Sequence, residues 1–299
     1  MKKTGQFILY LMIGGILCFT ACTEDPHVVL PGNGMEAYIN FFNSSEAISS
    51  GSLYTNNMIY INDSIQQAPF YRFPQFPDYP NPYREYPRFA SGTDRGPNGQ
   101  VFVPPGANYH NIFWMPVASG SYKFIFTSVN KVYLKDTTVV LPPKSLITQY
   151  LVESPEADDA YRIVTVPVEQ KGMAGKVRIQ VVNLATDLGR IDIYRSAKDG
   201  SLIPSDLPAN LDFGGYSPYA EVDTTGSAAT NNLIFLKVRR SGNTDVLLTA
   251  AVPAASGSSF TIMVQGFSRQ AVRRIKSGNS AYTTVTVTPN LRISIRRIL

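Results

Sequence analysis

Short runs in which apolar and polar residues alternate cover most of the chain beyond its first 35 residues. The alternation is regular in Tyr122–Thr127 and in Arg190–Arg195, where every second residue is apolar. Successive side chains of a strand point to opposite faces, so this period of two predicts strands with one face on a core and one in water. Clusters of Gly, Pro, Asn and Ser separate the runs, which is typical of sandwiches. We therefore predict an all-β chain.

Three segments recur in the same order along the chain. Each first segment is an apolar strand that closes on Asn, a residue suited to the turn after a strand. The matched pairs are Ala37–Asn43 with Val177–Asn183, Val139–Thr148 with Ala250–Thr261, and Ala160–Val166 with Ala281–Val287. The repetition predicts two tandem antiparallel β-sandwiches, and about seven strands in each copy is the number in an immunoglobulin-like fold.

The repeat also sets the predicted boundaries. The last segment, LRISIRRIL, is interpreted either as an edge strand whose charge discourages pairing or as a peptide that meets anionic lipid. The first sandwich is expected to carry a Pro/Tyr-rich insertion at 66–105. The segments are a signal peptide at 1–21, a lipidated tether at 22–35, sandwich 1 at 36–168, a linker at 169–175, sandwich 2 at 176–288 and a basic C-terminal strand or tail at 289–299.

Three ordered elements resemble a known family. They are the opening strand that ends in Asn, the Gly-Arg-Ile-Asp-Ile-Tyr strand at 189–194 and the Ser-Phe-Thr-Ile-Met-Val strand at 259–264. In this order they look like the bacterial domain of unknown function numbered 4397, which occurs on secreted and lipid-anchored proteins, often in tandem. The resemblance is clearest in the second copy, and the first copy departs from it by the insertion. It implies a fold and a location, and no established activity.

The amino terminus has the pattern of a lipoprotein signal. Lys2 and Lys3 precede thirteen uncharged residues from Phe7 to Phe19, fewer than the roughly twenty that a membrane-spanning helix needs. A small residue, Ala21, then stands before Cys22, so the segment is typical of a secretory signal and resembles a lipobox. We predict cleavage before Cys22 and lipidation of its thiol, which anchors the protein to a membrane.

Two acidic residues, Glu24 and Asp25, follow the predicted lipidation site directly. A short acidic run at this place looks like the surface-export signal of some Gram-negative lipoproteins. We therefore predict an outer-membrane lipoprotein that faces outward. The alternative is that both residues are simply solvated parts of the tether.

Composition limits the remaining classes of function. The net charge of +5 falls to +3 without Lys2 and Lys3, and the dispersed basic residues lack the concentrated patch of a nucleic-acid interface. Cys18 leaves with the signal and Cys22 is acylated, so core burial alone must hold the fold. We expect no nucleic-acid partner.

No catalytic constellation is recognisable in the sequence. The two histidines, His27 and His110, stand without the carboxylate, nucleophile and G-x-S-x-G elbow of a hydrolase. Zinc sites need clustered His and Cys, and the acidic residues between 153 and 159 fit no calcium-loop spacing. We therefore predict a non-enzymatic protein with no metal or cofactor.

The insertion supplies the candidate ligand contacts. Residues 69–89 are rich in proline, which stiffens a loop, and in tyrosine, whose ring and hydroxyl suit sugars or peptides. Predicted contacts are Tyr71, Phe76, Tyr79, Tyr83, Tyr86 and Trp114. In the alternative interpretation these rings pack onto the sandwich and onto Trp114.

Three Asp-Ser/Thr sequences resemble acceptors of O-glycosylation in exported proteins, with Ser64, Thr137 and Thr224 as the modified residues. Asp-Thr at a strand end also makes turns, which is the alternative. The leading functional hypothesis is a surface lipoprotein that binds glycan or a partner protein. The second is a structural subunit of an envelope or transport assembly, with sheet edges that pair with another chain.

Overall fold

Twenty strands and one short helix make up the computed structural model over the residues that it describes, namely 36–50, 58–61, 71–72, 85–86, 110–111, 114–128, 132–197, 199–203, 205–224, 232–278 and 280–298. The prediction of an all-β chain is confirmed. Within these ranges no helix has the length and apolar character needed to cross a membrane.

The first half of the chain, defined as residues 36–168, contributes the helix α1 (Glu46–Ser50) and ten strands. The strands are β1 (Glu36–Asn43), β2 (Met58–Ile61), β3 (Tyr71–Arg72), β4 (Glu85–Tyr86), β5 (His110–Asn111), β6 (Met115–Ala118), β7 (Gly120–Thr127), β8 (Tyr133–Leu141), β9 (Leu146–Glu153) and β10 (Tyr161–Val168).

The second half, defined as residues 176–298, contributes the other ten. They are β11 (Lys176–Ala185), β12 (Ile191–Ser196), β13 (Leu202–Ile203), β14 (Ala220–Asp223), β15 (Leu233–Arg240), β16 (Val246–Pro253), β17 (Ser259–Gly266), β18 (Ala271–Lys276), β19 (Tyr282–Val287) and β20 (Arg292–Arg297).

Each half forms an inner and an outer sheet, and the strands that the halves share follow the same order. The second inner sheet also contains β5 of the first half, which pairs in parallel with β20. In the first inner sheet, β1 pairs in parallel with β9 and antiparallel with β6 and β4, and β9 pairs with β10. In the second, β11 pairs in parallel with β17 and antiparallel with β14, and β17 pairs with β20. The outer sheets run β3-β2-β7-β8 and β13-β12-β15-β16.

The repetition extends to single turns. The turn between β8 and β9 holds Lys144 at φ 63°, and the same turn between β16 and β17 holds Gly257 at φ 83°. The backbone N–H of Lys144 donates to the carbonyl of Glu36, and that of Gly257 to the carbonyl of Lys176. Glu36 and Lys176 open β1 and β11, so the first two sequence matches coincide with equivalent strands and turns.

The third sequence match is wrong. In the inner sheets the counterpart of β10 is β20, because each pairs antiparallel with the strand that runs parallel to the opening strand. The segment that resembles β10 in sequence is β19, which pairs with β18 in a separate hairpin. Two alternating strands have similar composition whatever their place in a sheet, so the pattern could not distinguish them.

The inner sheets are buried on both faces. One face of each packs on the outer sheet of its own half, and the other face meets the inner sheet of the other half. The layer between the halves contains Tyr150, Val166, Leu184 and Met263, all 0% exposed. The result is a stack of four sheets, and residues 31–299 group as one compact unit.

A hairpin from the second half also packs on the first half. Residues 267–290, which we call the arm, lie between β17 and β20 and contain β18 and β19. Phe267, Ile275 and Val287 of the arm are buried in the core of the first half. Just beyond the arm, Arg292 Nη2 lies 2.6 Å from Oε1 of the buried Glu46. The first half therefore needs residues from the second half to complete its core.

Candidate functional site

Most residues singled out from the sequence lie outside the described ranges. These are Cys22, Glu24, Asp25, Ser64, Phe76, Tyr79 and Tyr83. The backbones of Tyr71 and Tyr86 lie in β3 and β4, where they pair with Ile59 and Phe41. The predicted contacts at 69–89 therefore remain predictions.

Trp114 does not present its ring at the surface. It is 2% exposed and packs with Val168 and Ile298, in a cluster that includes residues of both halves. Apolar packing accounts for its burial, because a large ring contributes most when it is removed from water. As a ligand contact this residue is corrected to a core residue.

The two described acceptor candidates differ in their surroundings. Thr137 pairs with the buried Phe124 across β7 and β8, so it lies on the face of the sheet that is turned to the core. Thr224 follows β14, and its hydroxyl donates to the carbonyl of Gly175 at 2.9 Å. That bond is the turn interaction expected of an Asp-Thr sequence, and modification of either residue remains a prediction.

The acidic residues between 153 and 159 are held by separate partners. Glu153 is 1% exposed, and its Oε1 accepts hydrogen bonds from Ser45 Oγ at 2.7 Å and from the Ala47 N–H at 2.8 Å. Burial raises the pKa of the Glu153 carboxyl above its ordinary value. Asp158 instead lies at the surface, where the Arg274 guanidinium donates to both of its oxygens and lowers its pKa.

The outward faces of the two outer sheets differ in exposure. Tyr60 in β2 pairs with Ile125 in β7, and Tyr194 in β12 pairs with Lys237 in β15. These residues lie on the sheet face turned away from the core. Tyr60 and Ile125 are 0% and 4% exposed, whereas Tyr194 and Lys237 are half-buried. Of these two outward-facing pairs, only the one in the second half is partly exposed.

Charged groups surround the Tyr194 ring. The guanidinium carbon of Arg239 lies 4.9 Å from the ring centroid, in the range of a cation–π contact. The Tyr194 hydroxyl donates to Asp192 Oδ2 at 3.2 Å. Lys237 of β15, next to Tyr194, pairs in turn with Thr249 of β16. The Lys237 ammonium donates to the Gly200 carbonyl at 2.8 Å. We call Tyr194, Lys237, Arg239 and Thr249 the outer face.

Asp192 lies two residues before Tyr194 on the same face of β12 and is itself held by hydrogen bonds. Its Oδ1 accepts hydrogen bonds from the Asn210 N–H at 2.7 Å and from Ser241 Oγ at 2.5 Å. Burial raises the pKa of Asp192, but these bonds and the one from Tyr194 outweigh burial and lower it. Burial and the Asp192 charge in turn raise the pKa of Tyr194. The carboxylate is therefore ionised and the phenol neutral over the physiological range.

The outer face offers an aromatic ring with hydrogen-bond donors beside it. An ammonium keeps two further N–H groups when one is used, and a guanidinium has five in a planar fork. A ring face with such neighbours suits a polyhydroxylated ligand, which has apolar C–H faces and hydroxyls at its rim. The sequence signal for it was the alternation in β15, where Ile234, Leu236 and Val238 alternate with Lys237 and Arg239.

No protein-family model and no curated protein matches the chain. Among solved structures, the module CBMbc (family CBM26) from Eubacterium rectale Amy13K, in complex with maltoheptaose, is 15% identical, with coverage of 86% of this chain and 99% of that chain and a TM-score of 0.21. A structure described as alpha-glucan binding by a streptococcal virulence factor is 11% identical over 76% of this chain and 92% of that chain, also with a TM-score of 0.21. Similarities at this level support no inference about this chain's fold or ligand.

Proposed function

We propose that this protein is a lipid-anchored, surface-exposed binding protein of the outer membrane, without catalytic activity, and that its outer face binds glycan. The predicted signal, Cys22 and the acidic pair Glu24 and Asp25 support the anchor and the location. The two sandwiches are proposed to be immunoglobulin-like members of the domain family numbered 4397, on the strand elements given above.

The observation that carries glycan binding is the half-buried Tyr194 ring with Arg239 and Lys237 beside it on an open sheet face. The hydrogen bond from the Tyr194 hydroxyl to Asp192 orients the ring, so binding requires little further ordering of this side chain. Two cations near the ring favour an acidic sugar, because a carboxylate or sulfate accepts charge-assisted hydrogen bonds.

A glycan array with neutral and acidic oligosaccharides tests the proposal. The wild-type protein should bind a subset enriched in acidic glycans, and Tyr194→Ala should lose that binding. Tyr282→Ala is the matched control, since Arg274 lies 5.0 Å from the Tyr282 ring in the same kind of pair on the arm. Loss of binding in the control as well would contradict a specific role for Tyr194.

A deletion of residues 69–89 separates the outer face from the predicted loop contacts. If the outer face binds the glycan, the deletion variant keeps the glycans that the wild type binds. If the deletion abolishes binding while Tyr194→Ala preserves it, the site is the Pro/Tyr-rich segment and the outer-face assignment is wrong.

A further inference from the structure

The edge of the second outer sheet is apolar and uncharged. Strand β16 ends the sheet order β13-β12-β15-β16, and none of the described strands pairs with its other edge. Its sequence VLLTAAVP contains no charged residue, and Val246 and Leu247 remain 41% and 39% exposed. The backbone N–H and C=O groups of such an edge are a template for another strand.

Other sheet edges carry charge. Strand β8, the equivalent of β16 in the first half, contains Lys135 and Asp136, and Asp136 lies 3.3 Å from Lys123 on the neighbouring strand. Strand β14 contains Glu221 and Asp223. Charged side chains discourage pairing with another chain, so β16 lacks a protection that the other two edges have.

The core beside β16 is also incompletely covered. Leu248 and Ala250 of β16 and Ile293 and Ile295 of β20 are only partly buried at the rim of the second-half core. A strand added to β16 would bury part of this rim in addition to forming backbone hydrogen bonds. Apolar burial contributes about 25 cal/mol for each Å² removed from water.

We propose that β16 pairs antiparallel with β16 of a second copy of this chain. A two-fold axis through Thr249 places Thr249 opposite itself and Leu248 opposite Ala250. Leu247 is the extra residue of a β-bulge, because Val238 pairs with Leu248 and Arg239 with Val246. The pairing is therefore centred on Leu248, Thr249 and Ala250, where a large residue meets a small one. Pro253, which has no N–H to donate, lies beyond this central segment. A neutral strand meets its copy without the like-charge repulsion that β14 or β8 would meet.

The dimer has a consequence for the outer face, although the pairing does not rest on glycan binding. Thr249 ends the cross-strand row that begins with Tyr194. Pairing at Thr249 therefore joins the two outer sheets into one surface that carries two outer faces. Such an arrangement would bind a repeating glycan in a bivalent manner.

Analytical ultracentrifugation of the purified full chain in detergent, over a range of concentrations, tests the pairing. The wild type should show a monomer–dimer equilibrium, and Thr249→Lys should weaken the dimer by about tenfold or more, because two like charges then face each other. Thr138→Lys makes the same change on the edge of β8 and should leave the dimer unchanged. A wild type that stays monomeric, or equal weakening by both variants, would overturn the proposal.

Cysteine substitution tests which residues of β16 lie opposite each other in the two copies. Thr249→Cys should form an interchain disulfide, since directly opposed strand residues lie within disulfide reach, and Thr138→Cys should not. The chain's own cysteines give the same background in both variants. An equal yield of crosslinked dimer from the two variants would also overturn the proposal.

Discussion

Replacement of Leu184 by alanine removes packing from the layer in which the two halves meet. Leu184 is 0% exposed and clusters there with Tyr150, Val166 and Met263. Three carbon groups are lost at about 0.8 kcal/mol each, which gives about 2.4 kcal/mol for transfer alone. The cavity that remains brings the usual cost of a buried Leu→Ala change to about 2–5 kcal/mol.

Urea unfolding followed by two signals measures this loss. Trp114 is the single tryptophan, and its contacts with Val168 and Ile298 make its fluorescence a probe of the layer between the halves. Circular dichroism follows the strands of both halves. The two curves should coincide in the wild type, because the halves share buried residues and the arm, and Leu184→Ala should shift both curves together.

Leu236→Ala is the matched control, since Leu236 is 0% exposed inside the core of the second half alone. It should lower the free energy of unfolding by a similar amount and also keep the curves coincident. Separate transitions for fluorescence and circular dichroism in the wild type would refute a shared unfolding unit. A loss below about 1 kcal/mol for Leu184→Ala would refute the packing argument.

Three further predictions follow from single residues. Burial raises the pKa of Glu153. The contribution of this carboxyl to stability is therefore complete below its unfolded pKa and is lost as pH rises through the folded pKa. Glu153→Gln, measured by urea unfolding, should lose less stability than the wild type between about pH 4 and pH 7. Gly257→Ala should lower the free energy of unfolding by about 1 kcal/mol in the same assay, because Gly257 has a φ of 83° with open space around it. Lys144→Gly, at φ 63°, should not destabilise the protein. Equal losses of stability in the two variants would contradict the shared turn. Cys22→Ser should abolish metabolic labelling with a fatty acid, and Cys18→Ser should not, whereas a labelled Cys22→Ser protein would exclude the predicted anchor.

The strands and the repeat could be predicted because they depend on local pattern. Alternation identified β7 and β12, and the two correct matches rest on opening strands and turns that recur in equivalent places. The third match failed because a hairpin within the arm shares its alternation with β10. Strand pairing over long separations leaves no mark on composition, so only the sheets could show that β20 takes that place.

Burial of the inner strands on both faces is not evident from the sequence. Strands β9, β11 and β17 are almost continuous buried runs, and such runs are typical of strands covered on both faces. The C-terminal segment was interpreted either as an edge strand protected by its positive charge or as a peptide that meets anionic lipid. In the structure β20 pairs with β17 on one side and with β5 on the other. Its Arg296 is instead 2% exposed, donates to Asn40 Oδ1 at 2.7 Å and lies 5.1 Å from the Phe42 ring.

The candidate site was harder to predict than the fold. Tyr194 and Arg239 are 45 positions apart in the sequence, and the contact between them depends on the pairing of β12 with β15. Alternation also does not distinguish the half-buried Tyr194 from Tyr60, which is 0% exposed on an outward sheet face. Aromatic density drew attention to residues 69–89, whose contacts lie outside the described ranges.

Titration calorimetry tests the central claim most directly, with the acidic glycan that binds best on the array. Tyr194→Ala and Arg239→Ala should each weaken binding by about tenfold or more, the loss expected for a stacked ring or a charge-assisted hydrogen bond. Tyr282→Ala should keep the affinity of the wild type. Unchanged affinity in both outer-face variants would contradict the claim that this face binds glycan.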